Sequence, residues 1–273
     1  MPTEGNDDQR SVFAKCLARA VENGMPASVF RETEENKLSE WNDGHRATCA
    51  KLLAVIAARC PGGKLPDNYL VFDTETSGVD HAIDRILQFG FLVVDGGVPE
   101  EEYSFYVRRS RDDVVISPGA FAVHGISYEL LADKGVGPGE ALRSVVDLFT
   151  FARAQGRMIV GHNAASFDAS MFERECALVG NPFRFDIDLF LDTGMIVKAA
   201  QLNIDYIPDR VSLKAWYRRI ADIRAPGVRW NLDRFCTGNF GLVKQGSVKA
   251  HDAGGDCVLT HRLFEELKKC IRT

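Results

Sequence analysis

Two carboxylates one residue apart, Asp73 and Glu75, follow an apolar run of aromatic and β-branched residues at 69–72. Such a run reads as a buried strand. If the strand continues through Glu75, both side chains leave the same face, and two anions that close repel unless a cation lies between them. Mg²⁺ and Mn²⁺ are the hard ions that take carboxylate oxygens. On its own the segment also fits a strand running into a polar turn at Ser77-Gly78. A third carboxylate, Asp168, ends the stretch Gly161-His162-Asn163-Ala164-Ala165-Ser166-Phe167-Asp168. An Asp in the first turn of a helix also serves to complement the helix dipole. What sets this one apart is its place just after a strand end, like that of Asp73. Finally, His251 stands five residues before Asp256, with Gly254-Gly255 between them. That spacing allows an imidazole on a mobile loop beside a carboxylate fixed by a helix.

The elements that must hold these groups follow from periodicity. Strands are expected at 69–75, 86–94 and 102–108, with a turn at 95–97, which together make an antiparallel meander. The chain then turns helical from 118. An amphipathic helix is expected at 139–154, a fourth strand at 158–160 and a helix at 166–178. A fifth strand is expected at 185–190, a helix opening at Asp192-Thr193, and a last helix carrying Val258, Leu259, Leu263, Phe264 and Leu267. The pattern is that of an α/β fold with a mixed sheet flanked by helices. Residues 1–66 read as a helical N-terminal extension, with helices at 11–23 and 46–60, ahead of a main domain at 67–273. The extension reads either as a cap packed on the main domain or as a module that binds a protein partner. Its removal, residues 1–60, is expected to leave catalysis largely intact.

Composition narrows the classes. With 273 residues and 45% hydrophobic content, the chain can bury a substantial core. No apolar run approaches the roughly 20 residues of a membrane span, and the first ten residues lack a signal-peptide core. Seven scattered cysteines without a Cys-x-x-Cys pair fit free thiols in a reducing, cytoplasmic compartment. Charge is unevenly placed. Residues 67–206 are strongly acidic, whereas residues 207–250 hold nine Lys and Arg against three Asp and Glu. There Arg210, Lys214, Arg218, Arg219, Arg224, Arg229, Arg234, Lys244 and Lys249 alternate with Trp216, Tyr217, Trp230, Phe235 and Phe240. Cations among rings suit a nucleic acid single strand. A solvated helix with a buried aromatic face fits equally well.

Taken in order, Asp73-Thr74-Glu75, then His162-Asn163 through Phe167-Asp168, then His251 with Asp256, resemble the three motifs of the DEDDh 3′-to-5′ exonucleases. Lesser features agree: the segment 121–126, Asp192-Thr193, and the helix entry Asn231-Leu232-Asp233-Arg234-Phe235-Cys236. The resemblance covers about 67–270, and the connection from about 201 to 230 is longer than is usual in that family. It implies a ribonuclease H-like fold. It further implies two divalent ions, Mg²⁺ or in its place Mn²⁺, held by Asp73, Glu75, Asp168 and Asp256, with His251 as general base. Terminal-nucleotide contacts are implied for Thr74 and Thr76, and also for His124, Asn163 and Phe167. Apart from the resemblance, the charge of the basic strip makes Arg218 and Arg219 expected phosphate contacts. Physical chemistry supports the set: clustered carboxylates need cations to stay ionised, two ions can steady an in-line phosphoryl displacement, and a neutral imidazole can take a proton near neutral pH. Three readings stay open: a DNA exonuclease, which is favoured, an enzyme for RNA 3′ ends, and a non-catalytic nucleic-acid-binding subunit. No membrane partner is expected.

Overall fold

The computed structural model describes residues 41–243 and 252–272. The expected helix at 11–23, His251, Lys244 and Lys249 lie outside the described residues. The meander forms as the alternation implies. Strand β1 (Tyr69–Thr76) pairs antiparallel with β2 (Ile86–Asp95), which pairs antiparallel with β3 (Val98–Tyr106). Two parallel strands extend the other side, β4 (Met158–Gly161) beside β1 and then β5 (Phe190–Asp192), giving the order β3-β2-β1-β4-β5. β3 is an edge strand, and its exposed acidic run 100–102 blunts that edge against further pairing.

Helices cover both faces. α1 (Asp43–Ala57) precedes the sheet; α2 (Pro118–His124), α3 (Tyr128–Lys134) and α4 (Pro138–Ala154) fill the crossover to β4. α5 (Asp168–Leu178) leads to β5, and α6 (Thr193–Gln201), α7 (Leu213–Asp222), α8 (Leu232–Phe240) and α9 (Ala253–Arg272) complete the described chain. On one face Phe72 of β1 packs its ring against Phe89 and Phe91 of β2, Phe149 of α4, Phe172 of α5 and Phe185. On the other lies α9, tied by the Tyr69 hydroxyl at 2.7 Å from His261 Nδ1 and 2.9 Å from Glu265 Oε1. Residues 69, 71, 73 and 75 therefore face α9, and residues 70, 72, 74 and 76 face α4 and α5.

One expectation is corrected. The apolar stretch 185–190 is not a strand along its length: the Asp186 carboxylate caps the amide of Asp188, the chain makes a single 3₁₀ turn at Ile187–Leu189, and β5 begins only at Phe190. Ahead of the boundary expected at 66, α1 packs on the main core. α1 opens on an Asn42 cap that accepts from the His45 amide. It buries Cys49, Leu52, Leu53 and Ile56 in one cluster with Val71, Ile196, Leu263 and Leu267.

Candidate active site

The acids converge at the carboxyl end of β1. Strand pleating sends Asp73 and Glu75 toward α9, where the first turn presents Asp256, and the ligand oxygens of these three all lie within 4.8 Å of one another. Glu75 and Asp256 are buried and Asp73 half-buried. α9 reaches this position because Gly90, the register partner of Asp73 on β2, has no side chain. A Cβ there would stand 2.2 Å from the carbonyl carbon of Ala253 and 2.6 Å from the amide of Gly254. Asp252 starts the helix: its carboxylate accepts from the Gly255 amide at 3.2 Å and from Gln88 Nε2 at 2.6 Å.

Asp168 approaches from the opposite side. Its carboxylate accepts the hydroxyl of Thr74, which points to the α5 face between the two acids of β1. Burial pushes this carboxyl up to about 7, against the Thr74 hydrogen bond, which pulls it down. The loop before it is shaped by Asp192, fully buried, whose two oxygens accept the amides of Asn163 at 2.8 Å, Ala165 at 3.0 Å and Met195 at 3.0 Å. Those bonds hold Asn163 in the left-handed region, φ +65°, a conformation Asn tolerates better than most residues. Burial raises the Asp192 carboxyl to about 6, offset by these amides. His162 sits beneath the loop with Nε2 2.6 Å from the Trp230 carbonyl and Nδ1 3.0 Å from the Thr193 hydroxyl. Burial lowers its imidazole to about 4, so the ring is neutral and donates through Nε2.

The remaining expected contacts divide. Thr76 turns its hydroxyl to the Gly78 carbonyl at 2.7 Å. His124 is buried, accepting the Ile126 amide at Nδ1 and meeting the Thr76 carbonyl with Nε2 at 3.1 Å, so it braces the end of β1. Phe167 is half-buried, edge-on to His81. It lines a cleft of about 380 Å³ with Asn163, Ser166, Arg218 and Asp222. Arg218 and Arg219 are exposed on α7. Their aromatic neighbours are not stacking platforms: Trp216, Tyr217 and Phe235 are buried, because residues 213, 216, 217 and 220 share one helix face. Over Leu213–Asp222 the strip forms a helix with a buried aromatic face and an exposed basic one.

The acid cleft, about 490 Å³, is lined by Asp73, Glu75, Asp256, His162 and Asn163 together with residues 228–234, among them Arg229, Trp230 and Arg234, which the sequence named for charge and for the helix entry without placing them at the acids. The signal available for that placement was the basic and aromatic content next to the Asn231 helix entry.

A family comparison decides the classification: the RNase_T family, described as exonuclease, matches residues 70–264. The chain belongs to this exonuclease family. Among relatives of this exonuclease, the DNA polymerase III subunit epsilon of Rickettsia felis is 25% identical over 200 residues, 72% of each chain. The PolC-type DNA polymerase III of Mycoplasmopsis pulmonis is 29% identical over 135 residues, 49% of this chain and 8% of that one. Escherichia coli exonuclease I, solved with a dT13 oligonucleotide, superposes with a TM-score of 0.57 at 22% identity, covering 74% of this chain and 41% of its own. The exonuclease thus spans less than a tenth of the PolC-type chain and under half of exonuclease I. The shared frame is the ribonuclease H-like mixed sheet. Among the described residues no helix is long and apolar enough to cross a membrane.

Proposed function

We propose that this exonuclease hydrolyses the terminal phosphodiester at the 3′ end of DNA and releases nucleoside 5′-monophosphates. The observation that carries the reading is the meeting of Asp73, Glu75 and Asp256 within 4.8 Å at the end of β1, with Asp168 approaching through Thr74. The donor set is all oxygen, which suits hard divalent cations, and oxygens held about 2.0–2.6 Å from an ion stand no more than about 5 Å apart. These four acids would hold two Mg²⁺ ions, with Mn²⁺ as a substitute. When bound, such ions stabilise charge on the attacking and leaving oxygens.

The protein groups do the rest. His251 takes the proton of the attacking water at a ring nitrogen. Thr74 orients Asp168 by its hydroxyl, and Asn163, pinned by Asp192, borders both clefts. DNA is favoured because exonuclease I was solved with deoxyoligonucleotides and the curated relatives are DNA polymerase III chains and subunits. Arg218 and Arg219 add phosphate contacts from α7. A protein partner that uses the N-terminal segment finds the apolar face of α1 already packed in the core.

The test is digestion of matched 5′-labelled single-stranded DNA and RNA, with and without Mg²⁺, by wild type, Asp73→Ala and His251→Ala. A DNA ladder shortening from the 3′ end, absent without metal and in both variants, is expected. Degradation of RNA alone replaces the substrate, and binding without cleavage replaces the enzyme with a binding subunit.

A further inference from the structure

The long connection between α6 and α8 helps to line the acid cleft, and it is fastened to the frame by buried polar groups. Gln201, 5% exposed, uses both ends of its amide on one residue: Nε2 donates to the Arg229 carbonyl at 3.0 Å, and Oε1 accepts the Arg229 amide at 3.3 Å. The next carbonyl, that of Trp230, meets His162 Nε2. Lys198, 2% exposed, donates to the Ala221 carbonyl at 3.0 Å and places its ammonium 4.8 Å from the centre of the Trp230 ring. Tyr217 closes the edge of β5, donating to the Phe190 carbonyl at 3.1 Å and accepting the Asp192 amide at 3.2 Å. Burying so many polar groups is favourable only if each is satisfied. Here the satisfied groups fix a backbone, and the residue that backbone carries, Arg229, is exposed and lines the same cleft as Asp73, Glu75 and Asp256.

A strand entering this cleft brings phosphates, which cationic side chains bind. We infer that the connection 202–231 is a substrate wall in which Arg229 binds the phosphate nearest the acids and Arg218, in the adjoining cleft across Asn163, binds phosphates further along the strand. The inference rests on the nucleic-acid reading above and deepens it: the inserted connection sets how long a strand must be before it is fully gripped. The Arg229 backbone is held in advance of binding, which fixes where its side chain starts at the cleft. Arg218, on an exposed helix face, acts only on strands that reach it.

The experiment is equilibrium binding, by fluorescence anisotropy in Ca²⁺, of 5′-labelled phosphorothioate DNA single strands from two to about twelve nucleotides, across a salt series. Arg229→Gln is expected to weaken binding about tenfold at every length and to flatten the log–log salt slope by about 0.7. Arg229→Lys should keep the slope, and Gln201→Met should weaken binding without changing it. Arg218→Gln should leave dinucleotides unaffected and weaken the longer strands. Unchanged affinity and slope in a folded Arg229→Gln protein, or an Arg218→Gln loss already complete on dinucleotides, overturns the wall. Cleavage is read separately on unmodified strands: an inert wild type whose binding still follows this pattern removes the nuclease reading and leaves the wall.

Discussion

Replacing Gly90 with Ala tests how the site is assembled without touching a reacting group. Its new methyl would lie 2.2 Å from the Ala253 carbonyl carbon and 2.3 Å from the carbonyl oxygen, where carbon atoms ordinarily rest at about 3.5 Å or more. Both obstacles are backbone at the start of α9, so the helix must retreat from β2 by roughly 1.3 Å. Overpacking of this kind costs about 1–3 kcal/mol of stability. Asp256 travels with the helix, and a displacement near 1 Å at a reacting centre costs about a hundredfold in rate. Denaturant unfolding, Mn²⁺ binding by calorimetry and digestion of labelled DNA should therefore show a folded protein with weakened metal binding and about a hundredfold less activity. Gly119→Ala, where the new Cβ meets nothing within 4 Å and φ is not positive, controls for the loss of a glycine as such. A folded Gly90→Ala enzyme with wild-type metal affinity and rate would refute the argument.

Three further outcomes follow. Arg109 and Glu175 form a buried pair at 2.6 Å, with Glu175 Oε1 also accepting the Ile86 amide; Arg109→Met should cost about 3–5 kcal/mol in denaturant unfolding, because it strands a buried carboxylate. Leu53→Ala in α1 should cost about 2–5 kcal/mol, and a loss below 1 kcal/mol would return α1 to the status of a detachable extension. Burial holds His162 near 4, so between about pH 6.5 and 4 the unfolded chain binds a proton that the folded chain refuses, and stability contributed at His162 falls as acid is added. The stability difference between wild type and His162→Gln should shift by about 3 kcal/mol against wild type over that window. A constant difference would mean that the ring takes its proton in the fold.

The catalytic end of β1 was legible because alternation fixes which residues share a face: Asp73 with Glu75 and, opposite, Thr74 with Phe72. The ordered motifs supplied the rest of the acid set. Apolar content alone misled at 185–190, where Phe185 fills the aromatic cluster from a loop and Asp186 turns the chain; hydrophobicity reports burial, and only pairing makes a strand. The sequence left the rings of the basic strip open between stacking and burial; residues 213, 216, 217 and 220 share one helix face and are buried, and the charge pattern had directed attention to Arg218 and Arg219 more than to Arg229. Gln201 and Lys198 looked like ordinary helix residues. Nothing local marks them as ties, since their partners, the end of α7 and the loop after it, lie 23–28 positions away. α1 was recognisable as amphipathic, yet periodicity does not say which surface receives the apolar face.

Gly90 gives α9 its place beside β2, and the order of synthesis bears on when that place is filled. Among the described elements α9 emerges last, and Asp256 joins Asp73 and Glu75 from far along the chain, a contact that forms only when that non-local docking is complete. A partly made or partly unfolded chain therefore carries two acids of β1 and no finished site. An activity that shortens nucleic acid is in this way withheld from every intermediate and released by the same packing event that completes the fold.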